Sequence, residues 1–250
     1  MLRVTVLELP ATWGEPRASL DAVDTELARG PATDIVLLPE ASLTGYVSPL
    51  GDFDLTPFAE LITGPTARAV REIARERGVV LVAPLVLREG SACFNAMIAG
   101  GRTGELLFTY RKRRPWFPER WATPGPAPAP VVTIDGARVT IAICFDVHFL
   151  ADDASEALAA SDLLLFPSAW VEEDDTRPAR LTQLATRHHL AIANANWSAG
   201  VVSIAGQGAS SIVGANGHVL ARTPSMLELA SSHDGIARAD AVLEVTDFFA

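Results

Sequence analysis

Along the first third of the chain, apolar runs of strand length alternate with amphipathic stretches: Leu2 to Leu9, Ala18 to Arg29, Ile35 to Leu38, Thr66 to Arg77 and Val79 to Val86. The short runs predict strands and the longer 3.6-period stretches predict helices, which is the rhythm of an α/β layer protein. Gly30 and Gly78 follow helical patterns where C-terminal caps are expected, and Thr63-Gly64-Pro65-Thr66 supplies a turn and a helix start. From Cys93 onward the pieces pair as hairpins. Phe94 to Ile98 and Glu105 to Thr109 flank a glycine-rich turn, and Val131 to Ile134 meets Arg138 to Ile143 across Asp135-Gly136. Further on, Ser155 to Ser161 and Pro178 to His189 read as helices, and Leu163 to Phe166 and Ala191 to Ala195 as strands. Ser210 to Val213 and Val219 to Ala221 form a hairpin pattern around Ala215-Asn216-Gly217. One mixed sheet, or two, with helices outside is the expected architecture. The proline-rich stretch Pro124 to Pro130 is too short to separate two cores, so residues 1–250 are expected to form a single domain.

Composition narrows the partners. With 49% hydrophobic residues and 20% charged over 250 residues, the chain can bury a large core. The formal net charge of −10 repels polyanions, and basic residues cluster only at Arg111-Lys112-Arg113-Arg114, so nucleic acid is not an expected partner. The apolar runs are too short to cross a bilayer, so no membrane is expected either. Two cysteines, Cys93 and Cys144, argue against a disulfide framework. The strand-like start has no signal-peptide cleavage pattern, so a cytoplasmic protein is expected.

Three polar residues stand where strands should end. Glu40 closes the run Asp34 to Glu40 ahead of a small, turn-prone segment, at the sheet edge where α/β proteins build sites. On position alone it is equally readable as a solvated loop charge. Lys112 lies in the basic cluster, which by itself reads as a solvated turn. Cys144 follows the strand pattern Val139 to Ile143, which would put its sulfur near free backbone N–H groups, although an isolated cysteine is more often a small buried apolar residue. Cys93, inside an apolar strand pattern without polar company, is read as structural.

Together these neighbourhoods resemble the nitrilase superfamily of carbon–nitrogen hydrolases, whose signature is a Glu, a Lys and a Cys in that order, each after a strand. The matching stretches are Leu37 to Tyr46, Tyr110 to Trp116 and Ile141 to Asp146. Supporting matches run along most of the chain: Asn95, Pro124-Gly125, Leu165 to Trp170 and Ser210 to Gly217. The resemblance implies an α/β fold, a four-layer αββα sandwich with mixed sheets, and a homodimer or higher homo-oligomer. It also implies a second glutamate that orders the site, for which Glu119 is the matching residue.

These residue types suit amide hydrolysis. Cys144 would attack the carbonyl with its proton passing to Glu40, which would then protonate the departing amine and later activate water to release the acid from a thioester. Lys112 and the backbone N–H of Phe145 would stabilise the oxyanion. No metal or other cofactor is required. Burial should raise the Glu40 pKa, with Lys112 opposing it. A Cys144–His pair using His148, His188 or His189 is a weaker alternative, because a glutamate base makes a histidine unnecessary.

The substrate is expected to be a small-molecule amide. Phe145-Asp146 after the cysteine looks closer to amidases and carbamoyl hydrolases than to nitrile-cleaving relatives, which carry Trp-Glu there. Trp116 takes the place of an aromatic that walls a small pocket in the aliphatic-amide branch. Tyr46, His148 and Trp170 are further substrate-binding candidates, with core packing the alternative for each aromatic. N-carbamoyl amino acids or nitriles are alternative substrates, and a catalytically inactive oligomeric relative is a further alternative. Two stretches leave the family pattern, Val147 to Asp152 and Thr186 to His189.

Overall fold

Successive side chains of the first sheet divide cleanly between two cores, and that alternation builds the whole molecule. The computed structural model describes residues 1–224 and 235–244. Val80 and Val82 face one core while Leu81 and Ala83 face another; Ile35 and Leu37 oppose Val36 and Leu38, and Met97 and Ala99 oppose Ala96 and Ile98, in the same way. A period of two with both faces apolar is what a sheet covered on both sides requires. Each fully buried Val, Leu, Ile or Met side chain among these stabilises by roughly 1.5–3 kcal/mol.

Two six-stranded mixed sheets result. The first contains β1 (Leu2–Glu8), β2 (Ile35–Leu37), β3 (Val80–Glu89), β4 (Ala92–Gly100) and β5 (Leu106–Arg111), with β12 (Ala237–Leu243) on its outer edge. The second contains β6 (Val132–Ile134), β7 (Ala137–Ile141), β8 (Leu163–Ser168), β9 (Ala191–Asn196), β10 (Ser211–Val213) and β11 (Val219–Arg222). Parallel pairs β1/β2, β2/β3, β7/β8 and β8/β9 form the middle of each sheet, and antiparallel hairpins flank them. Helices α1 (Pro16–Arg29) and α2 (Pro65–Arg77) bury Leu20, Val23, Val70 and Ala74 against the outer face of the first sheet. After the short helices α3 (Leu150–Asp153) and α4 (Ser155–Ala159), α5 (Arg177–His188) packs Leu181 and Ala185 on the second sheet. The inner faces of the two sheets meet in one shared core. This is the expected four-layer αββα sandwich.

A polar strut crosses that core. Glu8, at the end of β1, accepts hydrogen bonds from the Ser210 N–H (3.1 Å), the Ser210 hydroxyl (2.8 Å) and the Thr223 hydroxyl (2.5 Å), joining the first sheet to the second. Buried Arg177 donates to Asn194 Oδ1 (2.9 Å) and to the Gly208 carbonyl (2.8 Å), and pairs with Asp175.

Several elements differ from expectation. β12 alternates weakly, with Arg238 and Asp240 among its outward residues, so its pairing with β1 was not legible in its pattern. The helix expected over Ser155 to Ser161 is present as α4 but ends two residues early, and an unexpected turn of helix, α3, precedes it, separated by Ala154 (φ −143°); Asp153 at the end of α3 pairs with Arg113 and Arg114 of the lysine loop. Gly78 caps α2 in the left-handed conformation (φ 64°), but Gly30 ends α1 in extended backbone.

Candidate active site

The parallel strands bring their C-terminal ends to one edge of the sandwich, the position at which α/β sheets build sites. Glu40 follows β2, Cys144 follows β7, and Ala169 and Trp170 follow β8. Lys112 extends the β5 ladder by one residue: its N–H bonds the Asn95 carbonyl on β4 (2.8 Å), and its own carbonyl accepts the Gly125 N–H (2.8 Å). The returning loop must pass close here. A Cβ on Gly125 would lie 2.2 Å from the Arg111 carbonyl oxygen, so only glycine fits.

Lys112, Glu40 and Glu119 form a buried ion cluster. The Lys112 ammonium donates to Glu40 Oε1 (2.7 Å) and Glu119 Oε1 (2.6 Å), and all three side chains are essentially inaccessible. Removing these charges from water is costly unless every lone pair finds a donor. The Asn95 amide donates to Glu40 Oε1 (2.8 Å) and Glu119 Oε2 (3.3 Å), the Tyr46 hydroxyl donates to Glu119 Oε1 (2.6 Å), and the Ala169 N–H donates to Glu40 Oε2 (3.0 Å). Burial drives the Glu40 pKa up, with the Lys112 charge opposing. For Lys112, burial favours the neutral amine, but the two carboxylates outweigh it and hold the ammonium well above its ordinary range.

Cys144 opens a 3-10 turn (Cys144–Phe149) with φ at +43°, a left-handed conformation that costs of order 1–3 kcal/mol in a residue with a Cβ. Asp146 holds this bend. Its carboxylate accepts the Ile143 N–H (3.1 Å) and the Tyr110 hydroxyl (2.8 Å) on one oxygen and the Arg114 N–H (2.8 Å) on the other, tying the cysteine turn to the lysine loop. The bend leaves the first amides of the turn, Phe145 among them, without intrahelical acceptors. Burial and the Glu40 charge push the Cys144 thiol well above its ordinary pKa, while Lys112 and the Ala169 N–H pull it back. The resting residue is therefore a thiol in need of a base.

Cys144 borders a cleft of about 260 Å³ walled by Tyr46, Trp116, Phe145, Ala169 and Trp170, with His148, Val171 and Glu172 beside them. Tyr46 and Trp116 stack at 6.5 Å and 19°, and His148 lies over Trp170 at 6.2 Å and 17°. A larger groove of about 470 Å³ opens at the other ends of the strands, beside Ala137, Leu163 and Ala191, far along the sheet from the ion cluster.

All nine residues singled out in the sequence thus gather at one edge: Glu40, Lys112, Glu119 and Tyr46 in the hydrogen-bonded cluster, and Cys144, Phe145, Trp116, His148 and Trp170 around the cleft with Tyr46. His188 and His189 lie at the end of α5, and neither borders this cleft. Asp146, which sequence reading treated as a substrate signal, points into the scaffold and does not line the cleft. Sequence reasoning missed the Ala169 N–H and Glu172. A backbone donor leaves no mark in side-chain identity, and Glu172 sits in an acidic run, Glu172 to Asp175, indistinguishable from a solvated loop.

Comparison with known proteins gives a consistent result. The sequence profile of the carbon-nitrogen hydrolase family matches residues 13–231. A hydrolase of Mycobacterium tuberculosis is 30% identical over 203 residues, covering 77% of this chain and 68% of its own. A Pseudomonas protegens hydrolase is 25% identical over 224 residues, covering 88% and 78%. Among solved structures, a cysteine-to-alanine mutant of the Nesterenkonia sp. AN1 amidase superposes with a TM-score of 0.78 at 24% identity, covering 96% of this chain and 90% of that one. A carbon-nitrogen hydrolase superfamily protein of Xanthomonas campestris gives 0.77 at 19% identity, with the same coverage.

Proposed function

Because the chain belongs to the carbon-nitrogen hydrolase family of the nitrilase superfamily, we propose that it hydrolyses a small amide to an acid and ammonia through a thioester on Cys144. The observation that carries this reading is the buried Glu40–Lys112–Glu119 cluster beside a thiol on a strained turn at the cleft. A general base within a few ångströms, an ammonium and a cysteine are the parts that amide cleavage needs.

The Cys144 sulfur attacks the amide carbon as Glu40 takes the thiol proton. Negative charge collects on the carbonyl oxygen. An ammonium has three donors, and Lys112 uses two on Glu40 and Glu119, which leaves the third for the oxyanion together with the Phe145 N–H. Protonated Glu40 then passes its proton to the nitrogen, the carbon–nitrogen bond breaks, and ammonia leaves behind a thioester. Glu40 next deprotonates water, which attacks the thioester; the carbon–sulfur bond breaks, the acid departs, and the proton returns to the sulfur. Glu119 and Asn95 keep Lys112 and Glu40 aimed throughout. In the Nesterenkonia amidase, acrylamide adds at the active-site cysteine of a glutamate-to-glutamine mutant, a behaviour expected here of Cys144 when Glu40 is neutralised.

Ammonia release from a panel of short aliphatic amides, nitriles and N-carbamoyl amino acids, with Cys144→Ala as control, tests the proposal. Intact-protein mass spectrometry of the native protein, acid-quenched during turnover of an amide, should reveal an acyl adduct on Cys144 that is absent from Glu40→Gln. Turnover that persists in Cys144→Ala, or the absence of any Cys144-dependent product from amides, would sink it.

A further inference from the structure

The cleft combines aromatic walls with one kind of charge. Tyr46, Trp116, Phe145 and Trp170 present rings, Val171 adds aliphatic surface, and Glu172 is the charged residue among the lining side chains. Among the described residues no arginine or lysine lines the cleft, and Lys112 behind it is committed to Glu40, Glu119 and the oxyanion, so no described side chain on the wall answers a substrate carboxylate. Glu172 is half-buried and held in place: its Oε2 accepts the Thr176 hydroxyl at 2.7 Å, while Oε1 has no partner among the described residues. The histidine on the wall, His148, is kept below its ordinary pKa, first by burial and then by the nearby Arg180 charge, with Glu172 opposing, which disfavours its cationic form. Arg180 belongs to α5 and does not line the cleft. Aromatic faces beside a free carboxylate oxygen are the recognition chemistry of organic cations. A volume near 260 Å³ holds about nine water-sized groups, enough for a short acyl chain with a charged end.

Resting on the amidase reading above, we propose that Glu172 determines the charge preference of the site: the substrate is a short amide whose acyl chain is apolar beside the carbonyl and ends in a cationic amine, and amides ending in a carboxylate are disfavoured. Glu172 acts here as a specificity residue and takes no part in bond making.

Two measurements test it. The first compares kcat/KM for 4-aminobutanamide, pentanamide and succinamate, which share a chain length and differ in terminal charge. The cationic amide should exceed the anionic one on the order of tenfold at low salt, and the ratio should shrink as ionic strength rises. Glu172→Gln should collapse the ratio, and Glu172→Lys should invert it. The second does not depend on turnover: the rates at which Cys144 reacts with 2-aminoethyl and 2-sulfonatoethyl methanethiosulfonate, read by peptide mass to separate Cys144 from Cys93. The cationic reagent should gain over the anionic one in the native protein, and that gain should fall in Glu172→Gln. Equal or better use of succinamate, or a thiosulfonate ratio unmoved by Glu172→Gln, overturns the assignment while leaving the hydrolase reading intact. A Glu172-dependent thiosulfonate ratio without any amide turnover would uphold the charge assignment and defeat the amidase reading instead.

Discussion

Replacing Asp146 with asparagine should both destabilise the fold and disable the site, because this carboxylate is the joint between the cysteine turn and the lysine loop. Asp146 is 4% exposed and accepts from the Tyr110 hydroxyl, the Ile143 N–H and the Arg114 N–H. An asparagine can keep its oxygen toward Tyr110 and Ile143, but its NH2 group then confronts the Arg114 N–H, donor against donor. A buried donor left without an acceptor costs about 1–3 kcal/mol. Two donors are stranded, and partial solvent access at Arg114 softens one of them, so we expect a loss of about 2–4 kcal/mol. For a chain of this size that corresponds to a fall in Tm of very roughly 5–15 °C. The second effect is local. With Ile143 and Arg114 no longer tied to one group, the φ of +43° at Cys144 is under-determined and can relax. A displacement of an ångström between thiol and Lys112 costs about a hundredfold in rate. Urea denaturation followed by tryptophan fluorescence reads the first effect. Steady-state kinetics well below the transition read the second, with kcat falling more than KM rises. Tyr110→Phe removes a single hydrogen bond and should cost only about 1 kcal/mol. If Asp146→Asn unfolds at the same urea concentration as the parent and alkylates Cys144 at the same rate, the joint does not exist as described.

Three further outcomes follow from the same geometry. Glu40 must be ionised to accept the thiol proton, and burial raises its pKa, so kcat/KM should climb with pH through an acid limb above the ordinary glutamate value of 4.5; a limb at or below that value contradicts the burial argument. Burial raises the Glu8 pKa as well, against the hydrogen bonds of Thr223 and Ser210 and the Arg177 charge, so its folded-state pKa exceeds the unfolded one. Its stabilising contribution is then complete below pH 4.5 and lost as pH rises through the raised value, so Glu8→Gln should gain on the parent over that window; parallel stability–pH curves would refute this. Gly125→Ala drives a methyl group to 2.2 Å from the Arg111 carbonyl oxygen, which should displace the Lys112 loop, lower the urea midpoint and reduce kcat; an alanine variant with native activity would mean the loop yields freely.

The layered α/β fold and the site residues were legible along the chain to different depths. Strands such as Ile35–Leu37 and Val80–Glu89 announce themselves because both faces are buried, and helices α1 and α2 because one stripe is. Glu40, Lys112, Glu119 and Cys144 stood out because reactive residue types at strand ends, in that order, resemble a known family. What periodicity could not carry was anything set by distant partners. The edge strand Ala237–Leu243 owes its place to pairing with Leu2–Glu8, more than two hundred residues away, and its half-exposed pattern says little by itself. The orientation of Asp146 is of the same kind: nothing local distinguishes a carboxylate that faces a substrate from one that gathers donors from Tyr110, Arg114 and Ile143. The sequence by itself determined the alternation of layers and the inventory of reactive groups, since both are properties of neighbouring residues. Only the tertiary structure decided which groups meet, which charges are buried together and which carboxylate is left facing the cleft, because those depend on contacts between segments far apart in the chain.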